Sequence, residues 1–284
     1  MSQMTFDFSD LKSQLAAYGI GGGDMVYVAS DVTRLLYMAQ QDFDLDLAQG
    51  MDAFLGALID ALQVVVTEQG TLLLPAYTWA FCRGKAFDVR RTKSEVGVLN
   101  NWVLKHRPDF QRTQHPIYSF LVWGKYAPEF LRMKNTDAWG SDSPFAFLRQ
   151  HSSKVLLLDV TPCQAFTFMH YVEETLHVPY RYLKKFRSTY IDASGNSTTR
   201  DYTMFVRDLD ILSQQTLPDA FFESSGAMKT FDWHGLPLRV IDVPRACDLL
   251  EDDLLHHGGH NCYAFENYAL DWSKPQTHPD DLDR

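Results

Sequence analysis

Residues 154–181 constrain the fold more than any other part of this chain. They open on the apolar run Val155-Leu-Leu-Leu158, which reads as a short buried strand. Thr161-Pro162-Cys163-Gln164 follows, with a capping residue, a proline suited to a first helical position and a capping-box glutamine. One helix launched there places Thr167, His170, Glu173 and Glu174 at i, i+3, i+6 and i+7 on a shared face. Phe166, Phe168, Met169 and Val172 are left to pack, Pro179 stops the helix, and Tyr180-Arg181 come next. A histidine beside glutamates is by default an ordinary surface or packed pair. Here the pair sits on a helix that begins past a strand's carboxyl end, where open α/β sheets bind ligands.

The rest of the chain narrows the setting. Its 284 residues suffice for one large domain with a substantial core. A formal net charge of −10 argues against a nucleic-acid surface. Cys82, Cys163, Cys247 and Cys262 form no CxxC pair, so neither a disulfide framework nor a structural zinc site is expected. The acidic N-terminus has no signal-peptide pattern, and no apolar run is long enough to span a bilayer, so a cytoplasmic location is expected.

In chain order, residues 9–18 read as an amphipathic helix, Gly19–Asp24 as a turn, and Met25–Ala29 as a buried strand. That strand runs into Ser30-Asp31-Val32-Thr33, a helix start whose backbone N–H groups can hold a phosphate. A helix over 51–66, a strand at 70–75 ending in Tyr77-Thr78-Trp79, a basic loop at 90–94 and a helix to His106 follow. His115-Pro116 leads into a strand from Ser119, and Ser143-Pro144 starts a short helix. After Arg181 a hairpin spans about 188–206, then a strand near 236–243 and a helix near 244–255. Phe221, Phe222, Phe231 and Trp233 read as core or a small apolar wall. His256-His257-Gly-Gly-His260-x-Cys262 reads as a loop and not a metal site, because its spacing fits no familiar zinc pattern. Alternating helices and strands predict a single α/β domain over 1–271, with a central mixed sheet flanked by helices and a loose Asp- and Pro-rich tail at 272–284.

Five segments in order resemble the aminoglycoside 3-N-acetyltransferase family, which is distinct in structure from the GNAT acetyltransferases. They are Gly23-Asp24-Met-Val-Tyr-Val-Ala-Ser30, Gly70-Thr-Leu-Leu-Leu-Pro75, His115-Pro-x-x-Ser119, Gly140-x-x-Ser143-Pro144 and Thr167-x-x-His170-x-x-Glu173. The resemblance implies coenzyme A as acyl donor, a small amino-sugar acceptor and a homodimer, without nucleic acid or membrane. It implies His170 as general base beside Glu173, oriented by a later carboxylate, Asp210 or Asp208. It further implies Ser30, Asp31, Val32 and Thr33 at the coenzyme A pyrophosphate, and His115 and Ser119 near the pantetheine arm and acceptor. Two departures stand out: Ala29-Ser30-Asp31 replaces a His-Ser-Ser or His-Ala-Ser at the first strand's end, and Gln40–Leu47 lengthens the following connection.

Val178-Pro-Tyr180-Arg181-Tyr-Leu-Lys184-Lys185 looks like family members that acylate nucleotide-linked amino sugars for surface polysaccharides. Arg181, Lys184 and Lys185 suit an acceptor bearing a pyrophosphate. Tyr77, Glu174, Tyr180, Arg181 and Lys184 are therefore expected at the acceptor, and Thr78 with the donor. A resistance enzyme acting on aminoglycosides is the alternative, and a non-catalytic coenzyme A- or sugar-binding protein is the rival of another class. Acyl transfer to an amine needs a proton acceptor of roughly neutral pKa, which histidine supplies at about 6.5. The oxyanion needs donors, for which backbone N–H groups, Thr78 or Ser119 are candidates. Cys163, seven residues before His170 on the same expected helix, would lie about 10 Å away, too far for a nucleophile–base contact. Direct transfer in a ternary complex is expected, with no acyl-enzyme.

Overall fold

The computed structural model describes residues 8–42 and 47–283. Residues 43–46, within the lengthened connection, lie outside the described residues. In chain order the elements are α1 (Ser9–Ala17), β1 (Met25–Ser30), α2 (Thr33–Asp42), α3 (Leu47–Val66), β2 (Thr71–Pro75), β3 (Phe87–Asp88), α4 (Val98–His106), β4 (Gln111–Arg112) and β5 (Phe120–Gly124). The second half continues with α5 (Ala127–Arg132), α6 (Pro144–Gln150), β6 (Lys154–Leu158), α7 (Pro162–Ala165), α8 (Phe168–Leu176), β7 (Arg181–Ile191) and β8 (Ser197–Arg207). It closes with β9 (Ser213–Gln215), α9 (Asp219–Ser224), β10 (Met228–Trp233), β11 (Leu236–Asp242), α10 (Val243–His256) and β12 (Tyr263–Phe265).

Seven strands form one sheet in the order β10-β11-β6-β1-β2-β5-β4. The middle is parallel, β1 pairing with β2 on one side and β6 on the other, while β5, β4, β11 and β10 pair antiparallel. Burial on both faces explains the unbroken apolar runs of β2 and β6, whose residues point alternately into two cores. Val26, Val28, Leu72, Leu74, Leu156 and Leu158 face a largely aliphatic layer with α1 and α3. Tyr27, Leu73, Val155 and Leu157 face an aromatic layer with Phe120, Phe145, Phe166 and Phe168. Phe222 is buried in that second layer, and Phe231 and Trp233 in the first, so these aromatics are core.

The expected helix after β6 is two helices. Its capping box forms at Thr161 and Gln164, but the chain breaks at Phe166 before α8 begins. The buried Phe166 and Phe168 rings, 5.4 Å apart, pack on the aromatic layer, and one continuous helix gives way to that packing. Cys163 is consequently not on the helix of His170. It is exposed, and its Sγ donates to the Gln215 carbonyl at 3.2 Å.

The long hairpin β7–β8 rises beyond α8, and the segment expected to be a loose tail runs beside it. Asp281 N–H donates to Leu183 O at 2.8 Å, Lys185 N–H donates to Asp281 O at 2.9 Å, and Trp272 Nε1 donates to Leu254 O at 3.0 Å. Exposed side chains over 272–283 mislead here, because backbone pairing holds the segment.

Candidate active site

Helix α8 sets the centre. His170 Nδ1 and Glu173 Oε2 are 2.7 Å apart, the i,i+3 contact that the sequence spacing predicts. Arg181, the first residue of β7, places Nε 2.8 Å from the same Oε2, Nη2 3.1 Å from the Tyr263 hydroxyl and Nη1 3.3 Å from the Phe205 carbonyl. Glu173 is fully buried. Burial alone would raise its carboxyl, but Arg181 and His170 outweigh that and hold it down at about 2. Burial lowers the His170 pKa, with Arg181 pushing the same way against Glu173, so the imidazole is neutral at pH 7. Arg181 Nη2 also lies 3.2 Å from Nδ1, but the shorter contact to the ionised Glu173 favours the Nδ1–H tautomer, which leaves the Nε2 lone pair free.

The carboxylate at His170 is therefore Glu173, and not the later residue expected from sequence. Asp208 Oδ1 accepts the Asp210 N–H at 3.0 Å, and the Asp210 carbonyl accepts from Asn267 at 2.8 Å. These two aspartates shape a turn after β8.

His170 stands between two cavities. The first, about 380 Å³, opens at the carboxyl ends of β1 and β2 and is lined by Tyr27, Ser30, Tyr77, Gly97, Gln164 and Thr167, among others. The second, about 290 Å³, is lined by Trp139, Arg181, Met204, Arg207, Ser213 and Tyr263, among others. Ser30 Oγ is buried without a hydrogen-bond partner among the described residues, a polar atom that a ligand in the first cavity could satisfy. Gly97, at φ 72°, opens α4 on the same wall; a Cβ there would come within 2.5 Å of Asn100 Nδ2.

Several expected site residues are placed otherwise. Asp31 caps α2: its Oδ1 accepts the Thr33 N–H at 2.9 Å, and these contacts lower its pKa. The Asp31 carboxylate thus takes one of the backbone N–H groups expected to hold a phosphate, and the Val32 side chain is core. Thr78 Oγ1 donates to Glu95 at 2.9 Å. Ser119 Oγ donates to Ala76 O at 2.9 Å and accepts from Arg112 Nε at 2.9 Å. The buried Arg112 also donates to the Ala76 and Thr92 carbonyls, tying these loops together behind the first cavity. His115 Nδ1 accepts the Ile117 and Tyr118 N–H groups, and burial pushes its pKa down to about 3. His115, Ser119 and Thr78 are not among the lining residues of either cavity.

On the expected acceptor side, Tyr77 lines the first cavity, while Tyr180 is buried against Tyr263 and Phe265. Glu174 is buried too; desolvation and then Asp137 raise its pKa, so it is a neutral partner of Asp137 and not a charged contact for substrate. Lys184 pairs with Asp281 at 3.5 Å, and Arg181 is committed to Glu173. Sequence reasoning missed Tyr118, Trp139, Arg207 and Tyr263. Tyr118 lay inside a quoted segment, His115-Pro-x-x-Ser119, but at one of its unspecified positions.

Among the described residues no group of three or more His, Cys, Asp and Glu could hold a metal ion, and no helix is long and apolar enough to cross a membrane. Comparison with known proteins gives a consistent result. The family model described as aminoglycoside 3-N-acetyltransferase matches residues 49–254. The SPbeta prophage-derived aminoglycoside N(3')-acetyltransferase-like protein YokD of Bacillus subtilis is 25% identical over 229 residues, 72% of this chain and 81% of the relative. Aminoglycoside N(3)-acetyltransferase IX of Micromonospora chalcea is 29% identical over 184 residues, covering 58% of this chain and 60% of that protein. Among solved structures, aminoglycoside acetyltransferase AAC(3)-Xa superposes with a TM-score of 0.67 at 21% identity, over 86% of this chain and 92% of its own. AAC-IIIb, solved as a binary complex with CoASH, gives 0.67 at 22% identity, over 87% and 95%. A family match over residues 49–254, on a mixed sheet that superposes along most of its length, establishes that the chain belongs to the aminoglycoside 3-N-acetyltransferase family.

Proposed function

We propose that this protein transfers an acetyl group from acetyl-CoA to a primary amine of an aminoglycoside-type amino sugar, with His170 as general base. The observation that carries the reading is the position of His170, neutral and braced by Glu173, on the wall shared by two cavities. The first cavity suits the donor: Ser30 Oγ needs a partner, and the lining, with Gly97, Asn100 and Gln164, sets no Lys, Arg, Asp or Glu side chain against an uncharged pantetheine arm. The second suits the acceptor. The amine nitrogen attacks the thioester carbon, His170 Nε2 takes its proton, the C–S bond breaks, and the proton passes to the sulfur. Glu173 steadies the imidazolium between those events.

The family model and the named relatives favour an aminoglycoside-type acceptor over the nucleotide-linked sugar expected from the sequence. One observation keeps the second reading in view. With Arg181 paired to Glu173, the second cavity still carries the exposed Arg207 and, among its lining residues, no carboxylate, which favours an acceptor carrying an anionic group. Thiol release from acetyl-CoA, measured against a panel of aminoglycosides and a panel of nucleotide-linked amino sugars, separates the two. Turnover with aminoglycosides supports the first reading, and turnover confined to nucleotide-linked sugars supports the second. Failure to bind coenzyme A would overturn both.

A further inference from the structure

We infer that the Tyr118 hydroxyl donates a hydrogen bond to the thioester carbonyl, and more strongly to the oxyanion formed from it, at the junction of the two cavities. The inference rests on the acyl-transfer reading above. Two residues line both cavities, His170 and Tyr118. The base must stand where the amine meets the thioester carbon, so the residue sharing that junction stands beside the carbonyl oxygen as well. His170 is committed through Nδ1 to Glu173 and through Nε2 to the amine. The donor must come from the other side of the junction.

Tyr118 has the chemistry for it. Its oxygen accepts from Trp79 Nε1 at 3.4 Å, and its own proton has no protein acceptor among the described residues. Burial lifts the phenol to about 12, despite opposing effects of Trp79 and Arg181, so the group remains a donor across the working range. The nearby Arg181 charge also favours negative charge developing at this point. The ring is fixed by Tyr77 at 4.8 Å and Trp139 at 4.7 Å, and its backbone N–H donates to His115 Nδ1 at 3.0 Å. Trp139 in turn lies 5.3 Å from the His170 ring, so one indole, tilted against both rings, packs on base and donor alike. The hydroxyls expected from the sequence, Thr78 and Ser119, are turned to Glu95 and Ala76 instead. No proton crosses through Tyr118; it contributes a donor that strengthens as charge develops.

The test is binding, with turnover as a second readout. The parent and Tyr118→Phe are titrated with two inert donors: the ketone isostere of acetyl-CoA, with methylene in place of the thioester sulfur, and ethyl-CoA, which has no carbonyl. The parent should prefer the ketone about tenfold, the equivalent of one hydrogen bond. Tyr118→Phe should lose that preference, hold ethyl-CoA within about twofold, and lose about 100-fold in kcat with KM for acetyl-CoA little changed. A Tyr118→Phe protein that keeps the ketone preference overturns the inference alone. A parent that binds neither donor overturns the acyl-transfer reading together with it.

Discussion

The two cavities that meet at His170 differ in kind. The first is walled by Tyr27, Tyr77, Thr167, Gln164 and Ser30 and has no lysine, arginine, aspartate or glutamate in its lining. The second brings Arg181 and Arg207 to its wall. A wall without Lys, Arg, Asp or Glu suits a donor whose reacting end is an uncharged thioester; charged groups there would cost desolvation without a partner. In the proposed reading, the second wall discriminates by charge and so decides the acceptor. Catalysis, on that reading, belongs to the shared boundary, and specificity to one side of it.

Variants can break that division. His170→Ala removes the shared base: thiol release should fall about 1,000-fold, while coenzyme A affinity measured by titration stays within about twofold. A matching loss of coenzyme A binding would place His170 in donor recognition instead. Glu173→Ala should also cripple turnover, and it leaves the buried Arg181 guanidinium unpaired. Urea denaturation should show a loss of about 3–5 kcal/mol. The Glu173 pKa is depressed in the folded chain, so its stabilising contribution is complete above the ordinary value of 4.5 and lost as pH falls toward about 2. Urea midpoints of the parent and Glu173→Ala should therefore converge in acid.

Arg207→Glu reverses the charge at one of the two arginines on the second cavity's wall and touches the first cavity nowhere. It should change acceptor KM about tenfold, upward for an anionic acceptor and downward for a polycation, and leave donor binding unchanged. An altered coenzyme A affinity in this variant would erase the distinction between the cavities. The smallest effect is in the pH profile. Protonated His170 cannot accept the amine proton, and its pKa lies below the ordinary 6.5. The acid limb of kcat/KM should fall with a midpoint below 6.5 and disappear in His170→Ala.

The fold was legible where periodicity and caps are local. The Ser143 cap of α6, with its Oγ accepting the Ala146 N–H at 3.3 Å, could be read directly from Ser-Pro, and the β7–β8 hairpin from its turn residues. The His170–Glu173 contact was legible because helical spacing alone creates it. What escaped depends on the partner of each polar group, which spacing does not encode. Thr78, Ser119 and His115 bear reactive types at strand ends, yet Glu95, a backbone carbonyl and backbone N–H groups take the two hydroxyls and His115 Nδ1. Asp208 and Asp210 looked equivalent to any other carboxylate until the turn after β8 was formed. Tyr118 and Arg207 reach the site through long-range packing of the His115–Ser119 loop and β8 around α8, and no local pattern marks them.

Direct transfer requires both cavities to be filled at once. Initial velocities measured over a grid of acetyl-CoA and acceptor concentrations test it. A ternary complex with direct transfer across His170 gives double-reciprocal lines that intersect. Parallel lines would mean that the acetyl group first leaves coenzyme A for the protein, and the two-cavity account would be wrong.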